Sequence, residues 1–188
     1  MTTPTSAKAD ATATTATARN TVDATASDIG LLVLRVGFGG LLAVHGAQKL
    51  FGWFGGYGLS ATQAGFEQMG YNPGKLFGTL AGLTELGGGL LLLLGLVTPL
   101  AAAIALGTML NAVNATWSNG LSGSAEGPGY EMALLFAIAT AALAFTGPGR
   151  FSLDSGRPWA RNGVVWGGAA VVIAVLAAVG TLILKWAL

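Results

Sequence analysis

Residues Leu76–Leu96 read LFGTLAGLTELGGGLLLLLGL, and the only charge among these 21 residues is the carboxylate of Glu85. At about 1.5 Å of rise per residue such a segment is roughly 30 Å long, the thickness of a bilayer's hydrocarbon core. A carboxylate near the centre of a spanning helix costs about 2.5–3.5 kcal/mol on insertion scales, so it calls for a partner or a function. Arg35 lies inside the first apolar stretch, Ile29–Phe51, and is the candidate partner.

Working outward, four more apolar stretches flank this one: Ile29–Phe51, Leu100–Trp117, Tyr130–Thr146 and Val164–Leu184. Punctuation separates them, with Thr98-Pro99 after the second stretch and Gly147-Pro148-Gly149 after the fourth. The expected fold is all-α: an integral membrane helical bundle of four core transmembrane helices and a fifth at the C-terminal end. Composition agrees. Only 9% of the 188 residues are charged, against roughly 25% in soluble domains, too few to cover a surface facing water. Small residues inside the apolar stretches let helix backbones approach closely.

Three regions follow. Residues 1–28, rich in Thr, Ala and Ser, read as a disordered cytoplasmic tail, because they cannot bury enough surface to fold. Asp28 would cap the first helix. Residues 29–154 form the four-helix membrane domain, and 155–188 a linker with the last helix. Within the domain, Gly52–Lys75 carries Trp53, Phe54, Tyr57, Phe66 and Tyr71, which suits an interfacial or re-entrant segment. Arg150, Arg157 and Arg161 in one short loop set the orientation: cytoplasmic N-terminus, in a bacterial cytoplasmic membrane.

The chain has 0 cysteines and 1 histidine, so it offers no dithiol relay, no iron–sulfur ligand set and no bis-histidine haem site of its own. No metal site and no intrinsic cofactor are expected. A net charge of +1 without a basic stripe argues against nucleic acid. Any redox role would need a partner protein or a bound organic cofactor such as a quinone.

The polar residues fall on faces of small residues. Gly78, Gly82, Glu85 and Gly89 make one helix stripe; Arg35, Gly39, Leu42, Gly46 and Lys49 a second; Gly107, Asn111 and Asn114 a third. Helical rise makes Arg35–Glu85 an allowed intramembrane pair. A ligand pocket at the outer mouth would draw on His45, Gln48, Lys49, Asn111 and Glu131, with Trp53 and Phe54 as stacking surfaces. Three readings of this centre stand together: a register lock for the bundle, a site for a small amphiphile such as a quinone, and a proton path.

Several motifs carry a family resemblance. Leu34-Arg35-Val36-Gly37 and His45-Gly46-Ala47-Gln48-Lys49-Leu50-Phe51-Gly52 are followed by Leu80-Ala81-Gly82-Leu83-Thr84-Glu85-Leu86-Gly87-Gly88-Gly89. Tyr130-Glu131-Met132-Ala133 and Gly147-Pro148-Gly149-Arg150-Phe151-Ser152-Leu153-Asp154 complete the set. Over about Ile29–Asp154 the chain resembles the DoxX family. The resemblance implies a four-helix bacterial membrane protein and matches Arg35, His45, Gln48, Lys49, Glu85 and Glu131. It also implies a setting: an accessory membrane subunit of a redox or oxidative-stress complex, respiratory or quinone-linked, that is not catalytic alone. The alternative is a quinone-binding oxidoreductase subunit. The segment after Asp154 and the Thr/Ala tail depart from the family pattern.

Overall fold

The computed structural model describes residues 23–125 and 127–188. The tail expected over residues 1–22 lies outside them. Helix α1 runs over Asp23–Phe51, with a π-helical turn at Arg35–Gly39. A 3₁₀ turn at Trp53–Gly55 leads to α2, Gly58–Gln68. Helix α3 spans Gly74–Leu94, and α4 spans Thr98–Thr116 with a 3₁₀ extension at Trp117–Asn119. Helix α5 covers Glu131–Thr146 and α6 covers Val164–Ala187. No strand is present among the described residues, only an isolated bridge between Ser124 and Gly127.

Local chemistry sets these boundaries. Helix α3 ends at Gly95, whose φ of 62° is left-handed. The Leu96 amide then donates to the Leu91 carbonyl at 2.9 Å, the Schellman closure of a helix end. Pro99 stands in the first turn of α4, where a missing N–H costs nothing. The start of α1 differs from the sequence expectation. Residues 23–28 are already helical, and the Ser27 hydroxyl donates to the Asp23 carbonyl one turn back. Asp28 therefore caps nothing. Its carboxylate instead accepts from the Arg150 amide at 2.9 Å and from the Arg150 guanidinium.

Small residues fix the register between α1 and α3. A side chain at Gly39 would strike the backbone of Leu93, one at Gly46 the backbone of Leu86, and one at Gly89 the backbone of Ala43. Gly82 lies against Leu50. The two helices are thus antiparallel and closely packed along about three turns. Helix α4 is the centre of the bundle. Ala101, Ala102, Ala103, Ala105, Leu106 and Met109 are buried and cluster with Phe136 and Leu143 of α5 and with Ala170 and Ala174 of α6.

Four helices, Asp23–Phe51, Gly74–Leu94, Thr98–Asn119 and Val164–Ala187, are long and apolar enough to cross a membrane; α5 is a shorter apolar helix. Hydrogen bonds nevertheless show α5 traversing the bundle. The Glu131 amide donates to Leu121 O beyond the end of α4, while the Asp154 amide, shortly after α5, donates to Gly95 O before the start of α4. The chain has returned to the end from which α4 left. Asp28 meets Arg150 at that end; Lys185 of α6 covers Tyr71 at the other. The bundle therefore has an Asp154 face and a Tyr71 face, with residues 23 and 188 towards opposite faces. Large apolar side chains such as Val33, Leu83, Ile138, Leu176 and Ile183 point outward, as a lipid-facing exterior requires.

Candidate functional site

Helix α2 packs across the first turns of α3. Gly74 and Gly78 admit the backbone of Gln63, and Gln63 Nε2 donates to Thr79 Oγ1 at 3.0 Å. The turn after α2 drives Tyr71 inward against Phe66 and Phe77, with ring centroids 5.5 and 5.4 Å away. Only 2% of Tyr71 is exposed. Below it lies a cavity of about 250 Å³. Its walls are Leu80, Ala81 and Thr84 of α3, Gly107, Thr108 and Ala112 of α4, and Ala177 and Thr181 of α6. It exists because facing positions are Ala, Gly or Thr where larger residues would fill the space.

Besides the threonines, whose hydroxyls bond to carbonyls one turn back, Glu85, Asn111 and Tyr71 bring polar side chains to this largely apolar chamber. The Asn111 Nδ2 donates to the Gly107 carbonyl at 3.3 Å, which leaves Oδ1 as the free end. That oxygen and the Tyr71 hydroxyl are both buried without a hydrogen-bond partner. A buried polar group with no partner costs about 1–3 kcal/mol, and these two atoms belong to residues that line one chamber. Burial raises the Tyr71 pKa above its ordinary value, so the phenol stays neutral and can donate. An acceptor and a donor thus sit in an otherwise apolar room.

Glu85 is buried and pairs with Lys49, whose Nζ lies 2.6 Å from Oε2. This corrects the pairing expected from the sequence, which joined Glu85 to Arg35. The glycine register explains the difference. With Gly39 against Leu93 and Gly46 against Leu86, position 49 falls beside 85, whereas position 35 falls beyond 93. Arg35 therefore lies about 12 Å along α3 from Glu85, eight residues at about 1.5 Å each. Its guanidinium donates to Leu93 O at 3.0 Å and to Phe151 O.

Arg35 belongs to a second polar centre, at the Asp154 face, which the sequence reading missed. Asp154 is 2% exposed. Its Oδ1 accepts from the Val97 amide at 2.9 Å and the Trp159 indole at 3.1 Å. Its Oδ2 accepts from the Thr98 amide at 2.9 Å and the Thr98 hydroxyl at 2.8 Å. The carboxylate thus caps α4 from a distant part of the chain. Burial by itself would raise the Asp154 pKa, but the hydrogen bonds from Thr98, Val97 and Trp159 outweigh it and hold the carboxyl below its ordinary value. Val97 has a φ of 45°, a conformation strained for a β-branched residue, and the bond from its amide to Asp154 helps hold it there. Gly95 must be glycine for two reasons: its left-handed φ, and the Arg35 guanidinium and Ser152 lying where a Cβ would stand. A clue was visible in Gly147–Asp154, whose Gly-Pro-Gly start marks a turn and whose Asp154 follows at capping distance from nothing local.

The pocket expected at the outer mouth does not assemble as one site. Asn111 lines the cavity and Lys49 holds Glu85, but neither His45, Gln48, Trp53, Phe54 nor Glu131 lines it. His45 Nδ1 is 3.0 Å from Gln48 Oε1, and Gln48 Nε2 donates to Phe54 O at 3.2 Å, a brace for the turn after α1. Trp53 and Phe54 are exposed, with Trp53 tilted against Phe51. Glu131 is exposed and within 3.4 Å of Ser122. The physical reason is rotation: His45 faces Phe136 of α5, on the far side of α1 from α3. Among the described residues, no three His, Asp or Glu side chains converge on a metal-sized site.

A family model, DoxX, matches residues 30–118. That stretch holds α1 from residue 30 through α4, with Arg35, Lys49, Tyr71, Glu85 and Asn111, and over it the chain is similar to the DoxX family of membrane proteins. No curated protein and no solved structure matches the chain. The motifs at Tyr130–Asp154 lie beyond the matched residues.

Proposed function

We propose that this protein is a membrane subunit of a redox or oxidative-stress assembly. Its own part in that assembly is to hold a small amphiphile of the quinone class in the Glu85–Asn111–Tyr71 cavity. One observation carries the reading: the Tyr71 hydroxyl and Asn111 Oδ1 are buried and unpartnered, and both belong to residues that line the same largely apolar chamber. A quinone carbonyl would accept from Tyr71, and a quinol hydroxyl would donate to Asn111 Oδ1. The volume, about 250 Å³, sits just below the roughly 300–1,000 Å³ of small-molecule sites and suits a ring-sized head with its tail in lipid. Quinone, when bound, supplies the electron chemistry; the chain binds and orients it and excludes water. With 0 cysteines and 1 histidine, the chain leaves electron delivery to a partner protein. Three arginines in residues 150–161 support a cytoplasmic position for the Asp154 face in a bacterial membrane.

The test is to purify the full chain in mild detergent, extract with organic solvent and measure quinone per protein. Near-stoichiometric quinone is expected, reduced severalfold in Tyr71→Phe combined with Asn111→Leu, and abolished in Ala112→Phe, which fills the chamber. No quinone in the parent after reconstitution with added quinone would overturn the amphiphile reading. A second reading, favoured by the 2.6 Å contact between Lys49 and Glu85, is that this polar centre only locks the bundle. Under it, the variants would change melting temperature and leave quinone content untouched.

A further inference from the structure

A second cavity, of about 360 Å³, opens at the Asp154 face between α4 and α6. Its floor is apolar: Leu100 and Ala103 of α4, with Ala169, Ala170 and Ile173 of α6. Its mouth is formed by Trp159, Arg161 and Trp166. The Arg161 guanidinium lies 5.4 Å from the Trp166 ring centroid, and its Nη1 donates to the carbonyls of Pro158 and Ala160. These contacts hold the cation at the mouth and leave its other N–H groups unspent. The ion pairs among the described residues are Lys49–Glu85 and Arg150–Asp28, so Arg161 has no carboxylate partner among them. Asp154, the nearest acid in the loop, is buried and saturated by four hydrogen bonds.

We infer that this groove is a binding site for an anionic phospholipid of the surrounding bilayer. The acyl chain lies along Leu100, Ala103, Ala169 and Ile173, and the headgroup phosphate is held by Arg161 between the two tryptophans. The chemistry selects the occupant. A zwitterionic lipid fills the same apolar floor but brings its own cation to Arg161, whereas an anionic headgroup compensates it. Arginine is the side chain suited to phosphate, with a planar fork of donors. Tryptophans at this depth are usual where a membrane meets water, and basic pockets between helices favour anionic headgroups. The site shares Ala103 alone with the Tyr71 chamber and opens at the opposite face, so it does not depend on what that chamber holds.

The test uses the full chain in nanodiscs of phosphatidylcholine with or without phosphatidylglycerol. Native mass spectrometry measures lipid retained after release into detergent, and brominated lipids quench tryptophan fluorescence. Selective retention of phosphatidylglycerol and preferential quenching by its brominated form are expected. Arg161→Gln should lower retention by about fivefold, the equivalent of about 1 kcal/mol per basic residue at an anionic surface. Ala169→Phe, which blocks the floor without touching charge, should do the same. Arg157→Gln removes an equal charge from the same loop; its guanidinium lies 5.6 Å from the Trp159 ring centroid but does not line the groove, and the variant should have less than half that effect. Equal losses in Arg157→Gln and Arg161→Gln would show only a general surface potential and would overturn the site. So would unchanged retention in Ala169→Phe, equal retention of both lipids by the parent, or a second copy of the chain in the groove.

Discussion

Glu85 and Asp154 are both buried carboxylates, yet they are compensated in opposite ways. Glu85 relies on one long, partly exposed cation, Lys49, with side-chain exposures of 7% and 30%. Removing one member of a buried pair strands the other and costs about 3–5 kcal/mol in soluble proteins. Here Lys49 stands in the last turn of α1 and is partly exposed, so Lys49→Met or Glu85→Gln should each cost about 3 kcal/mol or less. The double variant should recover much of the loss, as unfolding in a denaturing detergent would show. Additive losses would mean that the pair is not coupled. Asp154 relies on four donors in a fixed frame. Asp154→Ala should destabilise by about 2–3 kcal/mol and Asp154→Asn by less, since the amide keeps one acceptor. The sign of the pH dependence follows from its lowered pKa. Stability from Asp154 is fully present above the unfolded value of about 3.9 and is lost as pH falls through the lower folded value. Melting temperature should therefore show no Asp154-dependent change between pH 5 and 8; a difference between parent and Asp154→Asn that vanishes near pH 6 would contradict this.

At the scale of elements, the α1–α3 contact is built on glycine, and glycines of one helix have opposite expected effects. Gly46 and Gly89 face backbone of the opposing helix, whereas a side chain at Gly87 meets nothing within 4 Å. Gly89→Ala should force the helices apart and destabilise by about 1–3 kcal/mol. Gly87→Ala should be neutral or stabilise by up to about 1 kcal/mol through helix propensity. Thermal melts in detergent decide it; equal effects at the two positions would reject the register. The same register explains why Glu85 was paired wrongly from sequence. Depth along each helix can be counted from its ends, but that count leaves the offset between neighbouring helices open. The close approaches of Gly39 to Leu93 and Gly46 to Leu86 set Arg35 beside Leu93, towards the Asp154 face.

At the scale of the molecule, five helices traverse the bundle, which leaves residues 23 and 188 on opposite faces. A reporter placed after Leu188 should read external and one at Ser155 cytoplasmic, following the positive-inside rule. Both reporters on one side would refute the five-pass topology, and the reverse assignment would refute the orientation alone. The polar groups are segregated along the bundle axis in the same way. The Tyr71 face holds the cavity and its unpartnered phenol, while the Asp154 face holds the saturated cap, Arg35 and Arg161, which has no ion pair among the described residues.

Hydrophobic pattern and length determined the all-α membrane class, the order of the apolar helices and the hairpin between α3 and α4. Those features depend on local properties: a helix must satisfy its own backbone in lipid, and Gly95, Thr98 and Pro99 end and begin helices wherever they stand. Stripe analysis also found that Glu85, Lys49 and Asn111 face inward. Which of them meet was decided only by the tertiary structure. Pairing depends on register and rotation between helices, and these are set by close approaches such as Gly39 to Leu93 and Gly46 to Leu86, which no single segment encodes. For the same reason Tyr71 looked like one interfacial aromatic among several until folding buried it. Asp154 looked like a loop acid until the return of α5 brought it to the amides of Val97 and Thr98.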